Sequence, residues 1–235
     1  MRTLVISDIH GCLNEFLELL GLVDYQAGKD RLILLGDYVD RGPKSKEVVQ
    51  QVMDLAKNDN VVVLRGNHDQ RFVTLVENRN PEMQKIFIKY GGLETLKSYC
   101  PFLEDNDLVG AFEFIRKAYS HHIDFLKKTK LYYEDNHYIY VHAGLNPNYE
   151  NWKNQPERDF YTIRGEFINH KSNTEKKVVF GHTVTVFIHG SADIWFSEDK
   201  IGIDGGCAYG YQLNCLEIGT DHKLKQYHVP CRSIS

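Results

Sequence analysis

The chain has 235 residues, 42% of them hydrophobic and 26% charged, and a formal net charge of -4. That length buries a sizeable core as one large domain or two small ones, and the composition is ordinary for a globular protein. The slightly acidic balance gives no electrostatic footprint for nucleic acid or an anionic membrane, so neither is expected as a partner.

The first apolar run, Leu4 to Ile6, is too short for a signal-peptide core or a membrane span. Five cysteines, Cys12, Cys100, Cys207, Cys215 and Cys231, include no CxxC pair. They read as reduced thiols, in the core or at the surface, of a cytoplasmic protein.

Three early segments share one design. "TLVI" leads into "SDIHG", "LILL" into "GDYVDRG" and "VVVL" into "RGNHDQ". Each is a short β-favouring run followed by glycine and polar residues, which predicts a strand buried on both faces. Asp8, Asp37 and Asn67 fall 29 and 30 residues apart, about the length of a βαβ unit. Between them "LNEFLELLGLV" and "SKEVVQQVMDLAK" carry apolar residues at helical spacing.

From about residue 71 to 130 the pattern turns helical, in "RFVTLVEN", "MQKIFIKYGGLETLKSY" and "LVGAFEFIRKAYSHHIDFLKK". It is interrupted at Asn80-Pro81, Gly91-Gly92 and Cys100-Pro101. These helices are expected to form a cap on an α/β sandwich, and their aromatic residues Phe72, Phe87, Tyr90, Phe112 and Phe114 to lie in its core. Strand patterns return in "HYIYVHAGL", "KKVVFGHTV", "DIWFSEDKIGIDGG" and "QLNCLEIG". With no linker-like tract anywhere, residues 1–235 read as one domain.

Parallel strands gather ligands at their carboxyl ends. Asp8, His10, Asp37, Asn67, His142 and His182 all follow strand-like runs, so they should converge on one sheet edge. Six oxygen and nitrogen donors without a thiol suit hard or borderline divalent ions. One ion has too few positions for all six. Two ions about 3.5–4 Å apart, bridged by a shared carboxylate, would use them. Asp37 can be that bridge. Two carboxylates leave positive charge uncompensated, which favours a bridging hydroxide and a phosphate-like ligand. Arg41 offers the planar fork that fits phosphate oxygens. His68 is the natural general acid, with Asp40 holding its tautomer. Asp69 is expected only to brace the loop.

"SDIHG", "GDYVDRG", "RGNHD", "VHAGL" and "GHT", in this order from Ser7 to Thr183, resemble the signature blocks of calcineurin-like metallophosphoesterases. Within them they resemble the phosphoprotein phosphatase (PPP) family and its bacterial-type serine/threonine phosphatases. The resemblance implies an α/β sandwich of mixed β-sheets flanked by helices. It implies a first metal on Asp8, His10 and Asp37, and a second on Asp37, Asn67, His142 and His182. It gives His68 and Asp40 to the leaving group and Asn67 and Arg41 to the substrate. A second phosphate-binding arginine follows "HAGL" in that family within a W-I-R motif. Here "TIR" supplies Arg164, with Thr162 in place of the tryptophan.

The expected function is a metal-dependent phosphomonoester hydrolase, with a protein serine/threonine phosphatase as the first reading. The metal pair would be Mn²⁺ first, with Fe or Zn²⁺ accepted by the same donors. The substrate would be a phosphorylated protein or a small phosphoester. The alternative enzyme is a dinucleoside polyphosphate hydrolase of the symmetrical diadenosine tetraphosphatase type. Those relatives tend to lose the second aspartate of "GDxVDRG", which this chain keeps as Asp40. An inert phospho-ligand-binding module is the third reading, opposed by the complete donor set.

Overall fold

The computed structural model describes residues 1–78, 80–102 and 107–232. Strands β1 (Thr3–Ile6), β2 (Arg31–Leu34) and β3 (Val61–Val63) alternate with helices α1 (Leu13–Leu22) and α2 (Ser45–Leu55). β1 pairs parallel with β2, and β2 with β3. Their unbroken apolar runs follow from two covered faces. Leu4, Ile6, Leu32 and Leu34 pack against the helices, while Val5, Ile33 and Leu35 enter the layer between the two sheets.

Five helices follow: α3 (Asn67–Glu77), α4 (Pro81–Lys89), α5 (Gly92–Tyr99), α6 (Leu108–Ala118) and α7 (Ser120–Lys128). The interruptions lie where the sequence places them. The Asn80 side chain accepts from the N–H groups of Glu82 and Met83, with Pro81 opening α4. Gly91 takes φ 94° between α4 and α5, and α5 stops at Tyr99, before Cys100-Pro101. The first helix differs from expectation: it starts at Asn67, four residues before Arg71. The Asp69 carboxylate accepts the Gly66 N–H at 2.9 Å, which caps the helix early and places Asn67 and His68 in its first turn.

Phe72, Phe87 and Phe112 are buried as expected, and Phe114 packs partly buried against them. Tyr90 departs from expectation, with 46% of its surface exposed.

The second half contributes β4 (Tyr132–Glu134), β5 (Tyr138–Val141), α8 (Glu157–Thr162), α9 (Gly165–Ile168), β6 (Lys177–Phe180), α10 (Thr185–His189), β7 (Trp195–Phe196) and β8 (Lys200–Gly202). Then β9 (Gln212–Ile218) and β10 (Leu224–Pro230) return to the first sheet, β9 pairing antiparallel with β1. Two five-stranded mixed sheets result, in the orders β10-β9-β1-β2-β3 and β4-β5-β6-β8-β7. They face each other across Val5, Ile33, Leu35, Tyr140, Val179, Ile201 and Leu216. Sheet edges β4 and β10 have no strand signature in the sequence. β10 mixes the polar Lys225, Gln226 and His228 with Leu224, Tyr227 and Val229 and ends on Pro230, a mostly exposed ribbon at the sheet edge.

Among the helices, His122 of α7 is buried between the Tyr99 hydroxyl at 2.8 Å and the Gln50 side chain at 3.1 Å. Burial, with help from His121, pushes it down to about 4. Its unfolded value lies near 6.5, so between those limits the unfolded chain binds the extra proton. Stability is therefore expected to fall as the pH drops from 6.5 towards 4, by up to about 3 kcal/mol from this residue. Denaturant midpoints of the wild type and His122→Gln across that range check it. Equal pH slopes in the two proteins would refute it.

Candidate metal centre

The carboxyl ends of β1, β2, β3, β5 and β6 meet at one edge, and the segments after them hold the six donors. Asp8, His10, Asp37, His142 and His182 are all buried there. His142 Nε2 lies 3.4 Å from Asp37 Oδ2 and 3.2 Å from Asn67 Oδ1. His10 Nε2 lies 3.5 Å from the same Asp37 oxygen and 3.9 Å from Asp8 Oδ1. One oxygen of Asp37 thus stands between a His10 side and a His142 side, the geometry of a shared ligand. Nδ1 of His10 donates to the Val39 carbonyl at 2.7 Å, and Nδ1 of His142 to the Leu35 carbonyl at 3.1 Å. Both bonds turn Nε2 towards the centre.

The backbone is bent to make this convergence. Six of the eight non-glycine residues with positive φ among the described residues are Asp8, His10, Asp37, Asp40, Arg41 and His182. Such conformations cost on the order of 1 kcal/mol each and persist where surrounding bonds impose them. Here the Asp69 carboxylate accepts from the N–H groups of Asp37 (2.8 Å), Tyr38 (2.9 Å) and Gly66 (2.9 Å), bracing the loop as expected. Asp8 Oδ2 accepts the His182 N–H at 3.0 Å and the Ser7 hydroxyl. Gly181 and Gly66 let these segments touch. A Cβ at the first would strike Ser7 and Asp8, and at the second the Asp37 carboxylate.

The electrostatics match a cation site. Burial and the nearby Arg41 hold His10 well below its usual range, and burial with His142 and Arg164 does the same to His182. Both are then neutral, as ligation requires. The His182 Nε2 is a buried ring nitrogen without a hydrogen-bond partner among the described residues. Burial alone would lower His142, but Asp37, Asp8 and Asp69 outweigh it and push it up to about 9. Burial would raise Asp37, yet His142, His68 and His10 hold it well below the carboxylate range. The negative charge that keeps a proton on His142 would equally favour a divalent ion. His10, Asp37 and His68, and separately Asp37, His142 and His182, each bring three donor atoms within 4.8 Å of one another. The residues fit a metal pair meeting at Asp37.

His68 sits beside this set. Its Nδ1 lies 2.6 Å from Asp40 Oδ2, and its Nε2 accepts from the Arg41 guanidinium at 3.0 Å. The other arm of Arg41 contacts His10 Nε2. Asp40 is itself pinned: its N–H donates to Thr95 Oγ1 at 2.7 Å, and that hydroxyl reaches Asp40 Oδ1 at 2.7 Å. Thr95 belongs to α5, so the helical lobe positions the His68–Asp40 pair. Gly91 adds a second tie, since its carbonyl accepts the Arg41 N–H at 2.9 Å and a Cβ there would come within 2.8 Å of Arg41. Arg164 reaches this edge through one bond, its Nη1 donating to the His182 carbonyl at 3.0 Å.

The model of the calcineurin-like phosphoesterase family matches residues 1–203. This chain belongs to that family. It is a metallophosphoesterase, of a family built around a dinuclear divalent metal centre. A symmetrical bis(5′-nucleosyl)-tetraphosphatase of Nitrosomonas europaea is 34% identical over 149 residues, 63% of this chain and 47% of the relative. An asymmetrical bis(5′-nucleosyl)-tetraphosphatase of Anoxybacillus flavithermus is 25% identical, covering 90% of this chain and 88% of its own. The chain spans about half the length of the symmetrical enzymes it matches. Among solved structures, a candidate diadenosine tetraphosphatase superposes with TM-score 0.69 at 22% identity, covering 98% of this chain and 94% of that one. A Saccharomyces cerevisiae protein serine/threonine phosphatase does so with TM-score 0.65 at 16% identity, covering 99% and 80%. Both confirm the fold.

Sequence reading missed several residues of the edge. Asp204 follows β8 just as the six donors follow their strands, and it is buried, with burial and Asp8 pushing it well above the usual carboxylate range. The strand-end rule could have found it. Thr95 and Tyr209, whose ring lies 4.7 Å from the Arg41 guanidinium, carry no sequence signal of their own.

Proposed function

We propose that this phosphoesterase hydrolyses dinucleoside polyphosphates. Asp8, His10 and Asp37 would hold one divalent ion, and Asp37, Asn67, His142 and His182 a second, Mn²⁺ being the first choice for both. Bound ions would supply Lewis acidity and an activated water for in-line attack on phosphorus. Arg41 would bind the phosphate under attack, Arg164 would serve its far side, and His68, held by Asp40, would protonate the departing oxygen. Water adds to phosphorus, one P–O bond of the anhydride breaks, and the proton passes to the leaving phosphate.

Two exposed aromatic rings beside these residues support a nucleotide. Tyr209 is 52% exposed against Arg41, and Tyr90 is 46% exposed with its ring 6.5 Å from that of His68. Nucleobases stack on such faces, each worth on the order of 1 kcal/mol. Arg71 and Lys89 lie over Tyr90 at 5.5 and 5.7 Å, and Arg71 Nη1 is a buried donor without a partner among the described residues. A polyphosphate chain needs such cations, whereas a single phosphoester does not. Relatives bearing the bis(5′-nucleosyl)-tetraphosphatase name agree. The five cysteines, all free thiols, support a reducing, cytoplasmic location.

The second reading, a protein serine/threonine phosphatase, is favoured by the 2.6 Å His68–Asp40 pair. An alkoxide leaving group needs a general acid far more than a phosphate does. Rates on diadenosine tetraphosphate, a phosphothreonine peptide and p-nitrophenyl phosphate, with Mn²⁺ and after chelation, separate the two. Metal-dependent cleavage of the dinucleotide, with kcat/KM at least about tenfold above the peptide, is expected. The reverse order would overturn the proposal in favour of the phosphatase. Products distinguish symmetrical cleavage (two ADP) from asymmetrical (ATP and AMP).

A further inference from the structure

The five cysteines are scattered in sequence, but three of them meet in space. Cys12, Cys207 and Cys231 bring their sulfur atoms within 4.8 Å of one another. Cys12 lies between the His10 turn and α1, Cys207 opens the short 3₁₀ turn Cys207–Tyr209, and Cys231 follows β10. Cys12 and Cys207 are buried, while Cys231 is partly exposed and leaves a route to solvent. Its N–H donates to the Tyr211 carbonyl at 2.8 Å, which fixes the chain end on the cluster. The Cys12 contact and burial, with smaller effects from Cys231 and the buried Glu15, push the Cys207 thiol up, and Glu15 accepts the Arg232 N–H at 2.7 Å.

We propose that Cys12, Cys207 and Cys231 form a thiolate site for a thiophilic divalent cation of the zinc and cadmium class, separate from the Asp/His centre. Tetrahedral coordination at a Zn–S length of 2.3 Å sets sulfurs roughly 3.8 Å apart. Sulfurs already within 4.8 Å need to close by about 1 Å at most. A disulfide would use two of the three thiols and leave the third without a role. Three thiolates leave a divalent ion one open position, which a water can fill. Soft sulfur donors select zinc or cadmium over Mn²⁺, so the two sites divide metals by chemistry. The thiolate site would tie the His10 loop, the Tyr209 turn over Arg41 and the end of β10 into one unit.

Cadmium reports on such a site directly, because thiolate ligation gives an ultraviolet charge-transfer band that oxygen and nitrogen ligands do not. Mn²⁺-loaded protein, kept reduced, is titrated with Cd²⁺. One equivalent per chain should saturate the band. Cys207→Ser and the milder, partly exposed Cys231→Ser should weaken cadmium binding by more than about tenfold, with Cys100→Ser and Cys215→Ser unchanged. No band in the wild type would overturn the proposal, as would a band that survives both Cys207→Ser and Cys231→Ser. Loss of two hydrogens on peroxide treatment, with no cadmium taken up by the reduced protein, would also overturn it and assign a disulfide pair instead.

Discussion

Replacing His68 with asparagine is expected to lower kcat on a phosphothreonine peptide or an alkyl phosphate by about 10²–10⁴-fold, with metal content at the wild-type level. The cause is the leaving group. An alkoxide departs only as it gains a proton, and His68, turned by the 2.6 Å bond from Nδ1 to Asp40, is the group placed to give one. On diadenosine tetraphosphate the departing oxygen belongs to a phosphate, which needs little protonation, so the loss should be far smaller. The difference between the two losses measures the acid role apart from general damage. His68 also lies within reach of His10 and Asp37 as a possible third donor. Metal stoichiometry therefore decides between the roles: a fall in bound metal with equal losses on both substrates would make His68 a ligand and remove it as the acid.

The parts of this protein legible in its sequence are those fixed by a local rule. Val5 and Ile33 alternate with Leu4 and Leu32 between two cores, so their strands are apolar throughout and easy to find. Each strand must then end in residues that turn sharply, and at five of them those residues are also donors. Hence Asp8, His10, Asp37, Asn67, His142 and His182 could be gathered before any contact was known. Residues defined by what packs on them were not legible. Thr95 is one hydroxyl on an amphipathic helix, and only the fold brings it to Asp40, 55 positions away. The cysteines show the same limit: Cys12 and Cys231 lie at opposite ends of the chain and meet because β9 and β10 return to β1. Tyr90 shares the helical spacing of its buried aromatic neighbours, and spacing does not reveal that its helix ends there. Asp204 differs from these, since it follows β8 and obeys the strand-end rule.

Asp37→Asn should have the larger effect of the two site variants, since it removes the one carboxylate that faces both halves of the centre. The change is nearly isosteric. The Asp69 braces to the backbone at 37 and 38 remain, and the amide oxygen can still accept the His68 N–H now held at 2.9 Å by Asp37 Oδ1. What disappears is charge. His10 and His142 now share Asp37 Oδ2 at 3.5 and 3.4 Å, and with a neutral amide Asp8 would be the one carboxylate left among the six donors to balance two divalent ions. Their mutual repulsion in a buried site then favours losing one of them. Bound metal measured by native mass spectrometry should fall from two ions to one or none, and kcat should drop by about 10³-fold or more, the several kcal/mol that such a centre contributes. Although the backbone braces persist, the metal-free variant should melt below the metal-free wild type, because His142, His68 and His10 lose the carboxylate that faces them. Retention of both ions with a comparable loss of rate would show that Asp37 does not bridge them. In that case the two metal sites would be organised by Asp8 and Asn67 separately.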